Sequence, residues 1–138
     1  MMLVFLILLV LNVWSLSTLK QPENLLKLKE LYTQFLKKPP PQWPILKRRA
    51  IITGFYNKNK ELGYNVNKGA EIGVCLNGTP NQMMHVLIHE LAHCTVKEYD
   101  HSPQFWKNYN VLKKYCVDLG VYQEIPETTK FCGKYIRD

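Results

Sequence analysis

The run Met84-His85-Val86-Leu87-Ile88-His89-Glu90-Leu91-Ala92-His93 places two histidines four residues apart with a glutamate directly after the first. On a helix turning about 100° per residue, His89 and His93 lie roughly 40° apart and one turn along the same face, so both imidazoles can reach one ion. Zinc in tetrahedral coordination is the expected partner of such a pair. Glu90 is offset by about 100° from His89 and projects beside the ion, where its carboxylate can take a proton from a water that the ion acidifies. These are the parts of a hydrolytic metal site.

A catalytic zinc takes three protein ligands and keeps one open position. The residues after the pair, Cys94-Thr-Val-Lys-Glu-Tyr-Asp-His101, supply a third histidine just beyond the point where the helix should end. Glu98, Asp100 and Asp118 are the carboxylates that could stand in for His101. Asp118 projects about 220° from Phe105 on the next predicted helix, away from that helix's apolar stripe, which favours His101. His85, one turn before His89, reads as a cleft-wall residue that supports the ligands, because zinc sites rarely draw three ligands from one straight helix. Tyr99, Tyr122 and Tyr135 are the hydroxyls available to a tetrahedral oxyanion, and the sequence does not choose among them.

The helix that must carry the pair is well marked, over about residues 80 to 96. Thr79 suits an N-cap, Pro80 the first helical position and Gln82 the capping-box position. Met84, Leu87, Leu91 and Cys94 share the side opposite the histidines, and Met83, Val86, Ile88 and Ala92 leave little polar surface, so the helix should be buried. Ahead of it, Ala50 to Tyr56, Gly63 to Asn67 and Ala70 to Leu76 read as short strands, with turns at Asn57-Lys-Asn-Lys60 and Asn67-Lys-Gly69. After it, Ser102 and Pro103 open a second helix that ends at Gly120, with Phe105, Tyr109, Leu112, Cys116 and Leu119 on its stripe. The tail from Val121 to Asp138 has no strong periodicity and is expected to wrap back over the domain.

His89-Glu90-Leu91-Ala92-His93, the later His101 and the Phe105-Trp106 pair that opens the following helix resemble the WLM family of zinc metallopeptidases, relatives of the SprT-like proteases, and especially short versions encoded by large DNA viruses. The resemblance covers about residues 45 to 135. It departs from the pattern in one place: seven residues separate His93 from His101, where many WLM members have five. The resemblance implies a zincin-like fold, peptide-bond hydrolysis, zinc held by His89, His93 and His101, and Glu90 as the catalytic base. In zincins a strand shortly before the active-site helix forms the cleft edge along which an extended substrate pairs; Glu71 to Leu76 is the matching stretch.

The expected architecture is a small α+β domain with a short antiparallel sheet, the active-site helix and a following helix, preceded by an apolar segment and an amphipathic helix. At 138 residues, 46% of them hydrophobic, the chain can build one core. Residues 1 to 19 are almost wholly apolar and read as a membrane anchor or signal segment. Residues 20 to 44 hold an amphipathic helix, Pro22 to Lys38, and a stiff Pro-rich linker. Residues 45 to 138 form the metallopeptidase domain. No Lys or Arg precedes the apolar segment and many follow, which places the domain on the cytoplasmic side of a membrane or inside a virion; secretion after cleavage is the alternative. The formal charge of +7 gathers before the site, in Lys27, Lys29, Lys37, Lys38, Lys47, Arg48 and Arg49. Anionic lipid or nucleic acid could meet such a run, though a nucleic-acid role rests on charge alone. Cys75, Cys94, Cys116 and Cys132 show no C-x-x-C pair, and reduced thiols are expected. The predicted function is a membrane-anchored zinc endopeptidase acting on a protein or peptide; the alternative is a membrane-anchored virion or interaction protein whose zinc is structural. Nothing in the sequence sets an oligomeric state.

Overall fold

Helix α3 (Pro80–His93) is the element on which the rest is assembled, and its start follows from three residues. Thr79 Oγ1 accepts from the Gln82 amide and Gln82 Oε1 accepts from the Thr79 amide, closing a capping box with Pro80 in the first turn; such a cap is worth about 1 kcal/mol. The helix ends at His93, short of the expected 96. The Cys94 and Thr95 amides fold back onto the Leu91 and Ala92 carbonyls, and the Thr95 hydroxyl also donates to Ala92 O at 2.7 Å, the local competition by which a threonine ends a helix. Met83, Met84, Leu87, Ile88 and Ala92 are fully buried.

The computed structural model describes residues 2–18, 21–56 and 61–138, so the turn expected at Asn57 to Lys60 lies outside the described residues. Strands β1 (Ile51–Phe55), β2 (Gly63–Val66) and β3 (Glu71–Cys75) form one sheet in the order β1-β3-β2. The expectation of an antiparallel sheet needs correcting: β2 runs antiparallel to β3, but β1 runs parallel to it. The chain leaves β1, forms β2 at the far edge and turns back, so β3 enters the gap between them pointing the same way as β1. A second correction follows. β3, the expected cleft edge, is paired on both sides, and the edge beside α3 is β2.

Helix α2 (Glu23–Lys37) buries Leu25, Leu28, Tyr32 and Phe35 in the same core as the sheet and α3. Tyr32 Oη accepts from the Ala50 amide at 2.8 Å, tying α2 to the start of β1. Where an extended linker was expected, the chain makes a turn at residues 41–42 and a 3-10 helix over Pro44–Lys47. Helix α4 (Pro103–Leu119) begins at Ser102, whose hydroxyl accepts from the Phe105 amide, and ends at Gly120 in the left-handed region. The tail contains a hairpin absent from the sequence reading, β4 (Thr129–Phe131) and β5 (Lys134–Ile136), turned by Cys132 and Gly133 with both φ values positive.

The reduced-thiol expectation holds for Cys94 and Cys116, which are free and buried, and fails for Cys75 and Cys132, which form a disulfide. Their separation of 57 residues hid the pairing, because only the folding of the tail onto β3 brings them together. Helix α1 (Met2–Thr18) exposes residues 2–10 on all faces. Among the described residues no helix is long and apolar enough to cross a membrane.

Thiol labelling in denaturant without reductant should modify two cysteines, Cys94 and Cys116, and four after reduction; four before reduction would contradict the disulfide. Replacing Cys132 with Ala should lower unfolding stability by about 2–4 kcal/mol in a denaturant titration.

Candidate metal centre

His89 and His93 come from the last turns of α3 and His101 from the loop before α4, and their ligand atoms all lie within 4.8 Å of one another. The Nε2 atoms of His89 and His101 are 3.0 Å apart, close to the roughly 3.3 Å expected for two nitrogens about 2.0–2.1 Å from one tetrahedral ion. The Phe105-Trp106 pair holds the cluster from the α4 side. Phe105, fully buried, packs its ring 4.4 Å from that of His93, and Trp106 stacks on His101 with centroids 5.5 Å apart and planes at 27°.

Burial pushes the His89 imidazole down to about 4, with His93, His101 and His85 adding to the effect. His93 is lowered by burial first, then by His101 and Lys68. Both therefore present neutral lone pairs, the form in which imidazole ligates a cation. The donor set fits a metal: three nitrogens converge, and without a cation their mutual approach is unfavourable for any protonated ring.

Glu90 is 8% exposed and its carboxyl is pushed up to about 7 by burial, with nothing offsetting it. It lines a cleft of about 340 Å³ together with Leu62, Gly63, Val86 and the three histidines. Gly63 is what lets β2 lie this close to α3. A Cβ there would stand 2.6 Å from Val86 Cγ1, 2.9 Å from the Gly73 carbonyl and 3.5 Å from Glu90 Oε1. Asn65, two residues on, donates from Nδ2 to the Glu90 carbonyl at 2.8 Å and accepts from the Gly69 amide at 2.7 Å, so the β2–β3 turn is bonded to the helix.

That turn supplies a residue the sequence reading missed. Asn67, Lys68 and Gly69 have φ of 52°, 52° and 101°, which throws Lys68 across the C-terminal end of α3. Its ammonium donates to the carbonyls of His93, Val96 and Glu98 at 2.9, 3.1 and 2.6 Å and lies over the Tyr99 ring. One cation thus satisfies a helix end and pins the seven-residue stretch that presents His101. Ser102, donating to Glu98 Oε1, and Asn108, donating to Thr95 Oγ1, hold the same loop from α4. A lysine in an Asn-Lys-Gly turn reads as solvated surface, and the sequence carries no signal that tells this one apart.

The alternative ligands are not part of the cluster. Asp118 is paired with Lys114 at 3.0 Å, and Glu98 accepts from Ser102. Of the three tyrosines, Tyr99 and Tyr135 are exposed, while Tyr122 is buried and donates to Asp138 at 2.6 Å. His85 lines the cleft, as expected, with Nδ1 directed at Asp138.

The WLM domain model matches residues 47–135 of this sequence. The chain belongs to the WLM domain family. The matched span takes in the sheet, α3, α4 and the hairpin, and leaves α1 and α2 ahead of it, although α2 contributes to the WLM domain's core here. An uncharacterized protein of Acanthamoeba polyphaga mimivirus is 34% identical over 87 residues, covering 56% of this chain and 44% of the viral protein. The chain therefore spans less than half the length of that relative. No solved structure matches.

Lys68→Met should weaken divalent-metal binding about 10–100-fold by releasing the His101 loop, as measured by calorimetric titration, the range typical when a supporting partner of a ligand is lost. Gly63→Ala should destabilise the domain by about 1–3 kcal/mol, because its Cβ must displace Val86 or the β3 backbone.

Proposed function

We propose that this WLM domain is a zinc-dependent endopeptidase acting on protein or peptide substrates. The observation that carries the reading is a buried carboxylate, Glu90, set beside three converging imidazoles at the floor of an open cleft. His89, His93 and His101 would hold the metal, and three histidines with cleft access are the ligand set of a catalytic zinc and not of a closed structural one. Zinc, when bound, supplies Lewis acidity to the scissile carbonyl and to an attacking water. Glu90 takes the proton of that water and delivers it to the leaving amine; burial keeps its proton affinity near neutrality, where a group can both accept and return a proton.

The edge of β2 positions the substrate. Leu62 O accepts from the Cys75 amide, so by alternation Gly63 and Asn65 turn their backbone groups away from β3 and offer them to an extended peptide. A metal kept only as a staple would need neither this edge nor Glu90, and the domain already has a covalent tie at Cys75–Cys132.

Attachment to a bilayer through α1 is part of the proposal. Its support is the run of exposed apolar side chains over residues 2–10 with basic residues downstream in α2. At 17 residues the helix is about 25 Å long, short of a hydrocarbon core of about 30 Å. Its apolar side chains on every face over residues 2–10 suit insertion part-way into the bilayer. The disulfide weighs against a reducing cytoplasm as the domain's location.

Purified protein should contain about one zinc per chain, lost on Ala substitution of His89 or His93 and strongly weakened by His101→Ala, by metal analysis. Glu90→Gln should keep zinc and fold but cut peptide hydrolysis at least about a hundredfold; equal activity in both proteins would remove Glu90 from the reaction. Full-length protein should float with anionic vesicles in a density gradient and a chain lacking residues 1–19 should not.

A further inference from the structure

The cleft that holds the three histidines is also lined by His85, one turn before His89 on α3, and by Glu61 and Lys134. His85 is held there by a network that fixes its tautomer. Its Nδ1 lies 3.1 Å from Asp138 Oδ1 and 3.1 Å from Tyr122 Oη. The Tyr122 hydroxyl donates its proton to Asp138 Oδ2 at 2.6 Å, and the Ile125 amide donates to the same oxygen at 2.5 Å. The Asp138 side chain is buried, with Lys113 Nζ 3.9 Å from Oδ1, and its carboxylate oxygens accept from Tyr122 and Ile125. Both partners of Nδ1 are therefore acceptors, and the ring proton must sit on Nδ1. Nε2 is left with a lone pair and no protein partner among the described residues, on a side chain that lines the cleft.

We infer that His85 is a substrate-binding residue: its Nε2 accepts a hydrogen bond from a substrate side chain next to the scissile bond, favouring residues with a neutral donor, a hydroxyl or carboxamide, over apolar isosteres. Asp138 and Tyr122 are positioning residues that hold Nδ1. Glu61 and Lys134 both line the cleft with opposite charges, so its lining favours neither sign and selection at His85 falls to hydrogen bonding. Burial lowers the imidazole's proton affinity, which keeps the acceptor form at neutral pH. The inference rests on the peptidase reading above, whose failure must be told apart from its own.

Binding can be separated from turnover in zinc-loaded, full-length Glu90→Gln protein, using fluorescence anisotropy of peptide pairs that differ at one position, Ser against Ala, Thr against Val and Gln against Met. A donor-bearing peptide should bind about three- to tenfold tighter than its isostere. In the protein carrying both Glu90→Gln and His85→Phe that preference should fall to none, with zinc content unchanged. His85→Gln, which keeps an acceptor, should retain part of it, and Asp138→Asn should reduce it without touching the substrate. An undiminished preference after His85→Phe, or no preference in the parent protein, overturns the assignment. Hydrolysis by the Glu90-containing protein is scored separately: donor-selective binding without any turnover would remove the peptidase reading and leave the His85 subsite standing.

Discussion

Two histidines one helical turn apart can contribute only two ligands, and the third must come from chain that has no helix to hold it. In this protein an ammonium on one side and α4 on the other meet that constraint. Lys68 reaches the carbonyls of His93, Val96 and Glu98 from a turn on the other side of the cleft. The same contacts close the orphaned end of α3, fix the course of the loop and set His101 against Trp106. The β2–β3 turn is therefore bonded to the histidine cluster's helix and loop as well as joining two strands, and the positive φ values of Asn67 and Lys68 are the local cost of aiming that side chain.

The opposite end of the cleft is organised by a different logic. There the tail returns to the domain and Asp138 collects the Tyr122 hydroxyl, the Ile125 amide and His85 Nδ1 around one buried carboxylate. Lys68 thus holds the C-terminal end of α3 by its carbonyls and Asp138 holds His85 earlier on the same helix, with Glu90 between them and its proton affinity raised by burial alone. That contrast leaves the Glu90 carboxyl without a charged partner, while the Asp138 carboxylate and the Asn65 amide are already engaged.

What the sequence made legible was what local rules govern. The capping box at Thr79 and Gln82, the helical pair His89 and His93, the Ser102 cap and the Gly120 stop all depend on residues within a few positions of one another, and each is where the pattern placed it. The features that escaped depend on distant segments meeting. Strand order depends on which separate segments pair, which no single short strand encodes, so the cleft edge expected at Glu71 to Leu76 lies instead at β2. The Cys75–Cys132 bond and the Asp138 network both require the tail to fold back, and its two three-residue strands are too short to show a period. Lys68 was invisible for another reason: nothing in a lysine's type says whether its ammonium meets water or three carbonyls.

The disulfide joins β3 to the hairpin turn, so the chain between its cysteines, 57 positions apart, is a closed covalent ring that contains α3, α4 and all three histidines. Loops such as the one between His93 and His101 are where proteases most readily cut a folded chain. A single cut anywhere within this ring leaves both new ends tethered in one molecule. Fragments that would otherwise diffuse apart stay at high local concentration, and the packed halves can remain together after the backbone has been broken.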